Sequence, residues 1–455
     1  MKRRDGVYLG LLGWLCTAML AIFLFETAVT RQDYLSNNLA LGNTPQSLIT
    51  LLGIWTAATV YLCVELSKYL RSKSQPEKAV WLPVAVVLTL VAAVFAYVKP
   101  IAASDPRLYV AYGRQIAGLG VNPYVSPIRE SLSDPIVSQI TPVWIDAPCH
   151  YGPLTLSLFA LGNVLSPQVE FFSICSTIRL LYLPMIVSLG FLFYRAWSWS
   201  RYAFALCVAV MANPLFLQIC LNSAHSEVWM LLFLFLVCLA MAKGRPALGA
   251  LAFSAACSIK IVPIVLIPPF FCWWCRKSPR QGAVFFTVFA AVHGTIYTLL
   301  GGADYPAVIQ NQDRWINIRV TSGPVVRAFL ALSFPPAEAS RLGLYAFFVA
   351  GGAFCWAILR RKKLIDPYTI TAVTLAILFF FRTYCNYWYT LWFWPFLWLA
   401  YRKERNAAIS IASWTVLMLL GHGLGWAPRV WLYTAVFAHN LWLLWKEQTS
   451  LASSE

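Results

Sequence analysis

The sequence predicts an all-α protein that crosses a membrane with roughly a dozen helices. Its composition is the first reason: 60% of the residues are hydrophobic and only 12% are charged, whereas a soluble domain carries about 25% charged residues. The second is that the apolar residues occur in runs of about 17 to 25, which suffices to cross a hydrocarbon core of about 30 Å. Only helices and closed barrels satisfy the backbone in lipid, and these runs are too long for barrel strands. We therefore expect a polytopic transmembrane helical bundle of about 12–14 helices.

The net charge of +17 would suit a nucleic-acid-binding protein, but the distribution of the charge argues against one. Lysine and arginine cluster in short loops between the apolar runs, as the positive-inside rule expects. No basic stretch is long enough to form a nucleic-acid groove. We therefore expect membrane lipids, and no nucleic acid, among the partners of this chain.

The basic loops predict the topology. The first apolar run, at about 7–26, follows a basic N-terminus and lacks a cleavage site, so we expect an uncleaved helix with a cytoplasmic N-terminus. Helices at about 46–69 and 79–98 then cross inward and outward. The polar stretch 99–150 therefore lies outside, and the apolar piece 152–166, too short to span, lies along the outer surface.

One later run departs from simple alternation. The segment 246–274 has basic residues at both ends, so a single crossing would put one basic cluster outside. Two half-helices meeting near 258–260 avoid this, and we prefer that hairpin to one continuous helix. The other helices are expected at about 171–194, 202–219, 225–242, 281–300, 340–359, 364–381, 386–401, 406–423 and 429–446.

This topology predicts three parts of the chain. They are two N-terminal transmembrane helices, a core that includes the extracytoplasmic loop 99–168, and a set of C-terminal transmembrane helices, at 1–78, 79–300 and 301–455.

A carboxylate in the outer loop is the first candidate for chemistry. Asp105 precedes Pro106, which suits the first turn of a helix, so the pair predicts a helix start. Tyr109 and Tyr112 then share one face of that helix. Beside the membrane surface, Asp105 could act as a general base, or it could only cap the helix.

Cations in or beside the membrane form the second group. Lys260 stands alone within about 28 apolar residues, and an unpaired ammonium is costly in lipid, so it is a candidate for binding an anion such as a phosphate. Arg382 lies at an outer boundary, where positive charge is uncommon, and would suit an anionic group. The outer loop at about 302–323 adds Arg314.

Polar residues at a predicted helix start form the third group. His225 and Glu227 open the helix at about 225–242. An acidic residue there also favours the helix dipole, so a simple cap is the alternative for Glu227. The sequence has no tight cluster of carboxylates, so we expect no obligatory metal and no cofactor, although two acidic residues could still bind a metal.

These segments resemble the C superfamily of membrane glycosyltransferases, and within it the bacterial polyprenyl-phosphate-mannose-dependent mannosyltransferases. The resemblance covers about 99–400 and rests on the order of short motifs. The motifs are Asp105-Pro-x-x-Tyr109-x-x-Tyr112-Gly113-Arg114, Gly120-x-Asn122-Pro123-Tyr124, Tyr151-Gly152-Pro153-Leu154, Asn213-Pro214-Leu with His225, the run broken by Lys260, and Trp388-Tyr389-x-x-Trp392-x-x-Pro395.

Two features depart from the pattern of that superfamily. The long outer loop follows the third predicted helix instead of the first, which leaves Asp33 as a second candidate base. The chain reads Ala-His-Ser-Glu around His225, where relatives often read Gly-His-Asn-Asp.

The resemblance implies an inverting glycosyltransferase of the cell membrane with an extracytoplasmic active site. Its donor would be a sugar, mannose or another hexose or pentose, on a polyprenyl phosphate, and its acceptor a lipid or a glycan. Asp105 would be the general base, and the lipid phosphate would be held by Lys260, Arg382 or Arg314. Substrate contacts would come from Tyr109, Tyr112, Arg114, Asn122, Tyr151, His225, Glu227, Trp388 and Tyr389.

Two other classes of protein fit the hydrophobicity. A transporter or flippase of lipid-linked sugars would also want many helices and intramembrane cations, but it would not need Asp105, and internal repeats that would favour it are not visible in the sequence. A non-catalytic membrane scaffold would leave Lys260 and Arg382 unexplained.

Overall fold

The structure is a computed structural model of the 455-residue chain. The residues that it describes are 57, 61, 105–139, 145–146, 148–196, 207, 210–211, 213–301, 311, 332–361, 363–382, 387–401, 406–407, 409–411, 413–414, 417, 435–444 and 446. The three helices predicted before residue 99, the loop 302–323 and the candidate Asp33 lie outside the described residues, apart from isolated positions.

Every regular element among the described residues is helical, which confirms the all-α class. The α-helices are α1 (Asp105–Leu119), α2 (Pro153–Leu165), α3 (Phe171–Ala196), α4 (Pro214–Leu217), α5 (Glu227–Ala242), α6 (Pro246–Ile259), α7 (Ile267–Lys277), α8 (Pro279–Ile296), α9 (Pro336–Arg360), α10 (Pro367–Arg382), α11 (Trp394–Ala400) and α12 (Ala435–Leu444). Short 3-10 helices occupy Ile128–Ser131, Val137–Gln139, Val262–Leu266 and Tyr387–Trp392, and π-helices occupy Gln218–Asn222 and Tyr297–Gly301.

Three helical segments of the described chain are long and apolar enough to cross a membrane. They are Phe171–Phe193, Pro279–Leu300 and Arg341–Arg360. They match the helices predicted at about 171–194, 281–300 and 340–359, and they support the assignment as an all-α membrane protein. The helix α2 is apolar but too short to span, as expected for the piece at 152–166.

The chain divides into two compact units. The first comprises residues 1–149 and 156–228, and the second comprises residues 150–155 and 229–455. In the first unit, α1 packs against α3 and against the two 3-10 helices that follow α1. Gly120 ends α1 in the left-handed region, at φ +64°, where glycine carries no steric cost.

In the second unit, the run that contains Lys260 is a hairpin. Phe253 of α6 and Phe270 of α7 contact each other, with ring centroids 5.6 Å apart. At the end of α7, Nζ of Lys277 donates a hydrogen bond to the carbonyl oxygen of Met241, 2.9 Å away and shortly before α6 begins. The two ends of the run therefore lie together, and Lys260 lies at the tip, as expected of two half-helices.

The helix predicted at 386–401 differs in form from the observed one. A 3-10 helix covers Tyr387–Trp392, and α11 starts only at Trp394, with Pro395 in its first turn. A proline in a helix interior lacks an N–H donor and clashes with the carbonyl four residues earlier. The Pro395 ring therefore forces the break that the hydrophobic pattern alone did not show.

Candidate active site

Asp105 and His225, which belong to different motifs, are in contact in the first unit. Nδ1 of His225 lies 3.2 Å from Oδ2 of Asp105, and their side chains are 2% and 19% exposed. The imidazole is thus enclosed while part of the carboxylate stays accessible. An N–H donor of this kind orients the carboxylate and still lets a hydroxyl group approach it.

Local structure fixes both partners of this contact. Asp105 is the first residue of α1, where the positive end of the helix dipole favours a carboxylate. His225 follows the π-helix Gln218–Asn222, and its backbone N–H donates to the carbonyl of Ile219 at 3.3 Å. Ala224, just before it, has a φ of +48°, an unusual conformation for a residue with a Cβ. π-helices and strained backbone both concentrate at functional sites.

Two tyrosines on α1 are enclosed by the helix packing. Tyr109 stacks on Phe159, with ring centroids 4.4 Å apart. Tyr112 is fully buried, and this burial, followed by the proximity of Cys149 and Asp105, raises the pKa of its phenol well above the ordinary value. Tyr112 therefore stays neutral next to the carboxylate.

Arg114 and Asn122 stabilise the outer loop. Nε of Arg114 donates to Oδ2 of Asp134 at 2.9 Å, and Oδ1 of Asp134 accepts from the backbone N–H groups of Ile136 and Val137. Oδ1 of Asn122 accepts from the backbone N–H of Tyr124 at 3.0 Å, which is a side-chain turn typical of asparagine. Their substrate contacts stay predictions.

Glu227 and Arg179 are two buried ionisable residues in the same unit. Glu227 is the first residue of α5, and its side chain is enclosed. Arg179 is fully buried in α3, one turn before Tyr182. The sequence reasoning missed Arg179, although the argument applied to Lys260 holds equally for a single cation in the apolar run 171–193.

Lys260 lies on an aromatic pair in the second unit. Its Nζ is 4.8 Å from the ring centroid of Tyr389 and 5.4 Å from that of Trp392. The two rings stack on each other at 4.4 Å. Cation–π contacts of this type hold an ammonium in place, and the binding of an anion by Lys260 stays a prediction.

The structure describes only some of the remaining predicted residues. Tyr151 is buried, with its ring 4.4 Å from that of His150. Arg382 closes α10, but its side chain, that of Trp388 and all of Arg314 lie outside the described residues. Within the described chain, no three His, Cys, Asp or Glu side chains group as metal ligands would, and metal independence stays a prediction.

The structure combines helices that are long and apolar enough to cross a membrane with a carboxylate, Asp105, at a helix start outside these candidate spans. This combination is expected of a membrane glycosyltransferase of the C superfamily. A family model described as alpha-(1->6)-mannopyranosyltransferase, N-terminal domain, matches residues 7–276. The chain belongs to this family, which confirms the resemblance drawn from the motifs.

One curated relative is alpha-(1->6)-mannopyranosyltransferase A of Mycobacterium tuberculosis (strain ATCC 25618 / H37Rv). It is 22% identical over 347 residues, which are 70% of this chain and 58% of the relative. The chain therefore spans less than two thirds of that protein's length. No solved structure matches the chain.

Proposed function

We propose that the protein transfers mannose from polyprenyl-phosphate mannose to a hydroxyl group of a lipid or glycan acceptor. The contact between Asp105 and His225 carries this proposal, in a chain that belongs to a mannosyltransferase family. A partly accessible carboxylate next to an enclosed imidazole is suited to removing a proton from a hydroxyl group.

The reaction balances with this single base. The acceptor oxygen attacks the anomeric carbon while the bond from that carbon to the phosphate oxygen breaks. The hydroxyl proton passes to Asp105, and polyprenyl phosphate leaves with the bonding electron pair. Attack from the side opposite the leaving group inverts the anomeric centre. A lipid phosphate is already a competent leaving group, so no nucleotide-binding domain is required.

Lys260 supplies the positive charge that this leaving group needs. Its ammonium lies over the rings of Tyr389 and Trp392, at 4.8 and 5.4 Å from their centroids. A lipid phosphate offers a stronger, charge-assisted partner than an aromatic ring does. In this proposal the site faces the extracytoplasmic side of the cell membrane, because the basic loops predict that the segment with Asp105 lies outside.

The donor class is tested with the purified protein in vesicles. Radiolabelled polyprenyl-phosphate mannose and GDP-mannose are supplied in parallel, with an alkyl mannoside as acceptor. The expected result is labelled disaccharide from the lipid-linked donor alone. Transfer from GDP-mannose alone would contradict the proposal, and movement of intact lipid donor across the bilayer without product would instead identify a flippase.

A further inference from the structure

The carbonyl group of Ile259, at the tip of the Lys260 hairpin, is anchored by the segment 150–155. It accepts hydrogen bonds from the backbone N–H of Gly152 at 3.0 Å and from Oγ1 of Thr155 at 2.8 Å. The last carbonyls of a helix have no partner within the helix. Thr155 and Ile259 are both buried, so water does not replace these bonds.

Gly152 permits this anchor because it has no side chain. A Cβ at this position would overlap the backbone carbonyl of Ser258. The overlap is with backbone atoms, which cannot rotate away as a flexible side chain can. Any larger residue would therefore push the segment 150–155 off the hairpin tip.

The anchored carbonyl belongs to the same peptide group as the backbone nitrogen of Lys260. A peptide group is planar, so fixing the oxygen of Ile259 also fixes the orientation of the Lys260 amide. Lys260 leaves this plane in an extended conformation, at φ −150° and ψ 137°. Its side chain then ends on Tyr389 and Trp392, so the residue is held at both its backbone and its ammonium.

We propose that Gly152 and Thr155 are positioning residues for Lys260, which act through the carbonyl of Ile259 and do not touch the substrate. This inference rests on the proposed function, in which Lys260 binds the phosphate of the lipid donor. It assigns the Tyr151-Gly152-Pro153-Leu154 motif and the threonine after it to presenting that cation. Loosening the anchor disperses the ammonium over more positions and weakens donor binding, while the base and the acceptor are unaffected.

The first test is a Thr155→Val variant, which keeps the shape of the side chain and removes its donor. The KM for polyprenyl-phosphate mannose should rise about threefold to tenfold, the loss expected for one buried hydrogen bond, with kcat within about twofold. Thr155→Ser keeps the donor and should restore the KM. Thr374→Val is the matched control, since Oγ1 of Thr374 also donates to a buried backbone carbonyl, that of Ile370, at 2.7 Å.

A double-mutant cycle with Lys260→Gln separates positioning from general stability. In the Lys260→Gln background, Thr155→Val should raise the KM no further, because the cation that it positions is gone. An equal rise in both backgrounds, or no rise in either, would overturn the inference. If Thr155→Val is not recovered folded, Thr155→Cys replaces it, because cysteine is a weaker donor of similar size. The KM of Thr155→Cys should exceed that of the wild type, and a KM equal to that of the wild type would contradict the inference.

The same cycle distinguishes a failure of the proposed function of Lys260 from a failure of the positioning role alone. If Lys260→Gln alone leaves the donor KM unchanged, the role of Lys260 in the proposed function fails, and the positioning role fails with it. If Lys260→Gln raises the KM but Thr155→Val does not, only the positioning role fails. Inhibition by free polyprenyl phosphate should follow the KM in every variant, which gives a readout of phosphate binding that does not depend on turnover.

Discussion

At the scale of single residues, the charges of the outer loop have different surroundings. Asp105 contacts an imidazole and keeps an accessible part. Asp134 is buried and is held by a guanidinium and two backbone N–H groups. Asp146 pairs with Arg129 on the surface, with side chains 72% and 62% exposed. Of the three carboxylates, Asp105 is the one whose setting suits proton removal, Asp134 supports the loop, and Asp146 contributes little to stability.

The surroundings of Asp134 predict that the stability of the loop depends on pH. Burial alone would raise the pKa of Asp134, but hydrogen bonds from the backbone at Val137 and Ile136 and from Arg114 outweigh it, and the pKa lies below its ordinary value. A lowered pKa in the folded state stabilises the protein above the unfolded value of about 4, and this contribution is lost as the pH falls through the folded value.

Amide hydrogen exchange across residues 128–139 measures this effect. Protection, corrected for the intrinsic exchange rate, should be constant from pH 7 to about pH 5 and fall below about pH 4. In an Arg114→Gln variant the neutral-pH protection should be lower by about 1–2 kcal/mol, since a partly buried charged hydrogen bond is lost. Protection that is unchanged at pH 3 would contradict this role of Asp134.

The sequence predicted individual residues of the candidate site, but it did not predict the contacts between them. The Asp105–Pro106 pair predicts a helix start, and the structure begins α1 there. The cost of an ammonium in lipid singles out Lys260 as a candidate for binding an anion. The contact between Asp105 and His225 depends on tertiary packing between distant segments, which no local spacing encodes. Arg179 was missed because the run around it fits an ordinary membrane helix so well.

At the scale of elements, α1 and α2 cross at Gly113. A Cβ there would overlap the carbonyl oxygen of Phe159 and the amide of Asn163. Asn163 in turn donates from Nδ2 to the carbonyl of Phe159 at 3.0 Å. The glycine in the Tyr-Gly-Arg motif is therefore explained by close helix packing, and this packing holds α1, with Asp105 at its start, against α2.

Gly113→Ala should destabilise the protein by about 1–3 kcal/mol, the range for overpacking a tight site. Gly351→Ala is the matched control, because a Cβ on Gly351, within α9, meets nothing within 4 Å. Alanine is the better helix former there, so the control should be neutral or slightly stabilising. Thermal unfolding in detergent compares the two variants, and equal midpoints would refute the packing argument.

Helix bounds were predictable where one helix runs without interruption. The helices α3 and α9 lie close to their predicted ranges because a membrane span must be continuous and apolar. Prediction failed where the helix type changes within an apolar run, as at Gln218–Asn222 and Tyr387–Trp392. Hydrophobicity indicates burial, but it does not distinguish between α-, 3-10 and π-helices.

At the scale of the whole molecule, the hairpin predicts the sidedness of its two ends. Lys277 donates a hydrogen bond to the carbonyl of Met241, so we expect the start of α6 and the end of α7 to lie on one side of the membrane. The positive-inside rule predicts that this side is the cytoplasmic one. Fluorescent-protein and alkaline-phosphatase fusions after Gly244 and after Ser278 should both report the cytoplasm. Opposite locations of the two fusion sites would contradict the hairpin.

The central claim is that Asp105 is the general base of a mannosyl transfer, and an initial-rate measurement with Asp105→Asn tests it most directly. The rate from polyprenyl-phosphate mannose should fall at least about 100-fold, the lower range for loss of a general base, with the melting temperature unchanged. Asp146→Asn, on an exposed loop carboxylate, should stay within about twofold of the wild-type rate. Full activity of a folded Asp105→Asn protein would contradict the account.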